Sequence, residues 1–158
     1  MMKKKLWIAL AVAVALGLGF IIYRLMVPKE YIPSSDEIAL HIRLDTKEDI
    51  GLLVYDCRAD DTETSGGVSN ADRSMLRHDS DDLFAMWNKQ ELDTEADAVD
   101  LTLRFRIITE YADPNYENIY PDDISCYLDP VSWKAHFGES YSVTITGDRI
   151  NGYQAVLN

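Results

Sequence analysis

The sequence has little of what catalytic and metal sites are usually built from. Its 158 residues include two cysteines and three histidines. His41, His78 and His136 fall in no His-x-x-x-His spacing, and Cys57 and Cys126 form no Cys-x-x-Cys pair, so the ligand patterns of a zinc site are missing. Cations are scarce beyond the first thirty residues. Residues 31–158 hold ten Lys and Arg against twenty-six Asp and Glu, a formal charge of −16. Nucleic acid and anionic lipid both require a cationic footprint, so this balance argues against either as a partner of the acidic part. The Ser65-Gly66-Gly67-Val68 stretch has no Lys and no helical pattern after it, which removes a phosphate-cradling loop. No internal repeat is visible, and nothing past residue 30 keeps a 3.6-residue apolar period for ten residues.

What is present begins at the start. Lys3-Lys4-Lys5 precedes Leu6–Tyr23, eighteen residues without a charge, followed by Arg24 and Leu25-Met26-Val27. At about 1.5 Å per helical residue the run spans about 27 Å, close to the roughly 30 Å hydrocarbon core of a bilayer. It is too long for the apolar region of a signal peptide, and cleavage after Gly19 would leave Phe20-Ile21-Ile22-Tyr23 as the new terminus. An uncleaved anchor is expected. The three lysines keep the N-terminus in the cytoplasm by the positive-inside rule, which places the rest of the chain outside a cell membrane. The expected organisation is a cytoplasmic tail over residues 1–5, a single transmembrane helix over 6–26, a Pro- and Ser-bearing linker over 27–36 and one extracytoplasmic domain over 37–158.

Period-two alternation dominates that domain. Val99, Leu101, Leu103, Phe105 and Ile107 alternate with Asp100, Thr102, Arg104 and Arg106, as a strand with one buried and one wet face requires. Ile38, Leu40, Ile42 and Leu44 repeat the pattern. Ile50–Cys57 is apolar on both faces at its middle, as in a central strand, and Leu83–Trp87 resembles it in shorter form. Ile124–Leu128, Tyr141–Ile145 and Tyr153–Leu157 complete about seven strands, the last two joined across Gly147-Asp148 or Asn151-Gly152. Arg58–Asn70 and Ala112–Asp123 read as turn-rich connections, and Val131–Phe137 as a short helical turn after Pro130. The expected fold is all-β, an antiparallel two-sheet sandwich of immunoglobulin-like architecture. The antibody signature is absent, because Trp87 lies too far from Cys57 and Ile124 stands two residues before Cys126.

Four constellations bear on function. Cys57 and Cys126 both alternate with apolar residues, so they are either a core disulfide or two buried thiols. Cys126, His136 and Arg149 supply the residue types of a cysteine transpeptidase, yet Ile124-Ser125-Cys126 does not match the Thr-Leu-x-Thr-Cys motif of sortases. Asp93, Glu95 and Asp97 imitate the start of a calcium loop, but Ala98 and Arg104 stand where its Gly and bidentate Glu belong, so no metal is expected. The loop Tyr111–Asp123 interleaves Tyr111, Tyr116 and Tyr120 with carboxylates and prolines. Those rings suit a recognition surface, or they cap one end of the sandwich while Pro114 and Pro121 stiffen the connection; the second reading is favoured by loop length. The expected function is that of a membrane-anchored, non-enzymatic interaction or accessory domain that binds a protein or envelope component and needs no cofactor. The alternatives are a small anchored cysteine transpeptidase or hydrolase, and a passive structural subunit of a membrane complex.

Overall fold

The structure, a computed structural model, describes residues 31–110 and 120–158. The expected tail 1–5 and transmembrane helix 6–26, with Tyr111 and Tyr116, lie outside these residues. Ile32–Asn158 form one compact unit. Residues 32–36 belong to it, and a turn closes there where Ser34 accepts from the Glu37 amide at 3.1 Å.

The described residues are all-β, arranged in two sheets compatible with a sandwich. The strands are β1 (Glu37–Thr46), β2 (Leu52–Ala59), β3 (Thr62–Val68), β4 (Leu83–Asn88), β5 (Ala98–Ile108), β6 (Ser125–Tyr127), β7 (Val131–His136), β8 (Ser140–Asp148) and β9 (Gly152–Leu157). The first sheet runs β4-β1-β8-β9; the second runs β3-β2-β5, with β6 and β7 both pairing the far side of β5. Each sheet turns one set of alternate residues inward. Ile38, Leu40, Ile42, Val143 and Ile145 come from the first sheet, Leu53, Leu101, Leu103, Phe105 and Ile107 from the second, and together they form one core cluster. Tyr55 stands edge-on to Trp87 at 5.6 Å and to Phe105 at 6.5 Å, an aromatic bridge between the two sheets.

Several expectations are corrected. The pairing is not wholly antiparallel, because β1 and β8 run parallel from Ala39↔Ser140 to Thr46↔Gly147. The described residues form nine strands rather than about seven. Val131–His136 is β7, not a helical turn, since its backbone pairs β5 from Leu103 to Ala98. Thr62–Val68 is β3, an edge strand inside the stretch that reads as turn-rich. Its apolar signal is weak because Gly66 occupies an inward position beneath the Tyr55 ring, which fills the space a Cβ would need. Leu83–Asn88 lies at a sheet edge, not at a centre.

No disulfide joins the cysteines; both are free thiols. Cys57 faces Leu103 from one side of β5 and Cys126 faces Ile107 from the other. At about 4.8 Å per strand and about 3.3 Å per residue that separates them by about 16 Å, far beyond disulfide reach. Burial pushes the Cys57 thiol up to about 11, so it stays protonated and inert at neutral pH.

β6 and β7 are nearly one strand. The residues opposite β5 shift by one between Tyr127↔Arg106 and Val131↔Leu103, and Leu128–Pro130 carries the extra residue. Pro130, with no N–H to give a ladder, sits at that interruption.

Candidate functional site

The outer face of the second sheet carries the most concentrated chemistry among the described residues. Alternation along β2 turns Val54, Asp56 and Arg58 outward, opposite to Tyr55, Cys57 and Ala59. The pairing of β2 with β5 then sets Asp56 beside Arg104 and Arg58 beside Thr102. On its other side β3 sets Ser65 beside Asp56 and Glu63 beside Arg58. Ser132 closes the row, its Oγ 2.8 Å from Thr102 Oγ1. Further along, Arg106 donates from Nη1 to the Tyr127 hydroxyl at 3.4 Å, its guanidinium 5.7 Å from that ring.

A groove of about 740 Å³ opens on this face, lined by Asp56, Arg58, Glu63, Ser65, Thr102 and Arg104. The β2–β3 hairpin that forms one wall is tight. Ala59 pairs Thr62 directly, Asp60 takes φ 49°, and the Asp60 carboxylate accepts the Asp100 amide at 3.0 Å, which ties the turn to β5.

Four cations outside this face are held in ion pairs. Lys47, Arg77, Lys89 and Arg149 pair with Asp148, Asp79, Asp97 and Glu110 at 2.8–3.3 Å. Among the described residues Arg58 and Arg104 form no ion pair, although Glu63 and Asp56 stand directly across from them in the ladder. The groove thus offers two guanidinium groups, two carboxylates and a rim of hydroxyls, a set that hydrogen-bonds a charged polar partner in both senses.

The other candidates are placed as follows. Cys126 faces Ile107 and His136 faces Ala98, nine positions along β5, which is about 30 Å. They form no nucleophile–base couple. Arg149 is engaged by Glu110 at 3.0 Å and by the Asp123 carbonyl at 3.1 Å. His41 stacks on Phe84 at 4.9 Å, and His78 meets Asp49 at 2.8 Å. Tyr120 is half-buried. Among the described residues no three His, Cys, Asp or Glu side chains cluster as metal ligands.

A second polar cluster surrounds the β8–β9 turn. The Asp148 carboxylate accepts from Lys47 Nζ at 2.8 Å, from the Asn151 amide at 2.7 Å and from the Ile150 amide at 2.9 Å, and these bonds hold it well below the usual carboxylate range. Tyr153 donates to Glu48, and burial together with that carboxylate raises its phenol well above the ordinary value. Glu48 also accepts the Arg149 amide at 2.6 Å. Every member is satisfied within the cluster, as a turn lock requires.

Sequence alternation shows Arg104 and Arg106 on the wet face of the best strand. Arg58 is missed, because only the β2–β5 register brings it to the same groove. No protein-family model matches the chain, and no curated protein matches it either.

Proposed function

We propose that the chain is a single-pass membrane protein, anchored by residues 6–26 with its N-terminus in the cytoplasm, whose acidic β domain works outside as an interaction or accessory domain. In this reading the two sheets form an immunoglobulin-like sandwich, and the domain acts by binding a protein or envelope component rather than by catalysis. The observation that carries it is the open groove on the second sheet, where Arg58 and Arg104 face solvent without an ion-pair partner among the described residues. In a domain of charge −16 an unpaired arginine gains more from an incoming carboxylate or phosphate than from the solvent, and Asp56 and Glu63 reject a purely anionic surface. The occupant is therefore of mixed charge, as a protein segment is.

Capture from detergent-solubilised native membranes, with the full-length chain as bait, tests this. One stoichiometric partner is expected with the natural chain and none with Arg58→Glu/Arg104→Glu at an unchanged melting temperature. Retention of the partner by the double variant rejects the groove. The anchor is tested separately: the full-mass protein stays in membranes at high pH, and a reporter active only outside the cytoplasm works when fused after Asn158. A soluble product beginning near Phe20 overturns the anchor.

A further inference from the structure

The two sheets protect their edges differently. In the second sheet β3 carries Glu63 and a Gly pair, β7 carries Lys134, and β6 has three residues, all features that discourage pairing with another strand. Strand β4, Leu83-Phe-Ala-Met-Trp-Asn88, ends the first sheet with no charge, no proline and no glycine. Phe84 and Met86 face outward at 41% and 49% exposure, while Leu83, Ala85 and Trp87 are buried.

The phase of the ladder says which backbone groups are free. The Lys89 amide donates to the Asp36 carbonyl at 3.0 Å, one step past Glu37↔Asn88. Hydrogen-bonded pairs alternate in an antiparallel ladder, so Leu83, Ala85 and Trp87 spend their N–H and C=O groups on β1. Phe84, Met86 and Asn88 then point theirs at the open edge. Asn88 closes its own, donating to Glu91 Oε2 at 3.1 Å and accepting from Leu92 at 3.1 Å. Among the described residues nothing caps Phe84 and Met86 at this edge.

We infer that β4 pairs antiparallel with β4 of a second copy of this chain, joining the two first sheets into one eight-stranded sheet. Same-face residues must stand opposite each other, which allows only registers centred on a residue. Centring on Ala85 sets Phe84 against Met86 twice, and these are the two residues with free backbone groups, so both hydrogen-bonded pairs form. The Phe–Met contacts lie on the outer face, and Leu83 meets Trp87 on the inner face. Centring on Met86 would oppose Phe84 to Asn88, whose backbone groups are already spent, and centring on Phe84 would oppose Met86 to Asp82, outside the strand. Hydrogen-bond phase and apolar matching thus select the Ala85 register, and with it a two-fold, closed dimer. This inference does not depend on the groove, which lies on the other sheet.

The test uses the full-length chain in mild detergent, with mass measured by sedimentation or light scattering. A dimer is expected. Met86→Lys, at an exposed position, converts it to monomer, whereas Val156→Lys on the opposite edge strand leaves the dimer intact. In a Cys126→Ser background, Ala85→Cys becomes disulfide-linked between chains on mild oxidation, because the residues at the two-fold form a non-hydrogen-bonded pair about 4.5 Å apart. Met86→Cys links far less. A monomeric natural chain, or a dimer that survives Met86→Lys, overturns the proposal; efficient linking through Met86→Cys rather than Ala85→Cys overturns the register.

Discussion

The two sheets share one core but present opposite outer faces. On the first sheet the outward residues are mostly neutral: Ser140, Ser142, Thr144 and Thr146 along β8, Gln154 and Val156 along β9, and Phe84 and Met86 along β4. On the second they are charged: Arg58, Arg104, Arg106 and Lys134 beside Asp56, Glu63 and Asp100. Four of the ten cations of residues 31–158 lie on that one face, and Arg43 is the sole cation outward on the strands of the first. The inner faces are interchangeable in chemistry because burial admits one kind of residue, whereas the outer faces carry no folding constraint of that kind. The proposed binding groove lies on the charged face and the proposed pairing edge on the neutral sheet.

The comparison is broken most severely from inside. Leu103→Ala in β5 and Ile42→Ala in β1 remove fully buried side chains, one from each sheet, and each should cost about 2–5 kcal/mol in denaturant unfolding. A large loss at one and a negligible loss at the other would show that the core is not shared.

Gly66→Val comes next. The new side chain meets the Tyr55 ring, and displacing that ring disturbs its contacts with Trp87 and Phe105. A melting temperature lowered by several degrees is expected, at about 2–8 °C per kcal/mol for domains of this size range. Gly67→Ala, outward on the same strand, should be milder.

The β8–β9 lock gives a pH dependence. The folded Asp148 carboxyl is held below its unfolded value, so its contribution is fully present above the unfolded pKa of about 3.9 and is lost as the pH falls below it. Thermal melts from pH 7 to pH 2 should therefore show a steepening fall at the acid end, and Asp148→Asn should flatten it. Asp49, held low by the His78 amide and ring, acts with the same sign.

Smallest in stability, and most telling for the comparison, is Thr102→Ala. It removes the hydroxyl contact with Ser132 at the groove, at a cost of about 1 kcal/mol or less. Matched against Leu103→Ala one residue away, it separates the groove face from the buried face of a single strand. The tyrosine loop sharpens the same contrast: Tyr116→Ala/Tyr120→Ala should lower the melting temperature if the rings cap the domain, and abolish partner capture without that shift if they recognise it.

Period-two alternation made part of the fold legible before any contact was known. The inward set of β1 and β5, the central position of Ile50–Cys57, the all-β class and the wet placement of Arg104 and Arg106 follow from which neighbours are apolar. How the strands meet is visible only in three dimensions. The parallel β1–β8 pairing joins residues about a hundred positions apart, and no local pattern records the direction of a distant partner. β3 and β7 are strands because β2 and β5 offer them ladders, though Gly66, the polar residues and Pro130 weaken their own signals. The groove and the free edge are of the same kind. Arg58 joins Arg104 only through the β2–β5 register, and β4 is an edge only because no other strand of the described fold lies beyond it. Burial acts on each residue separately and can be read one position at a time; pairing is a property of two segments at once, so it exists only when both are in place.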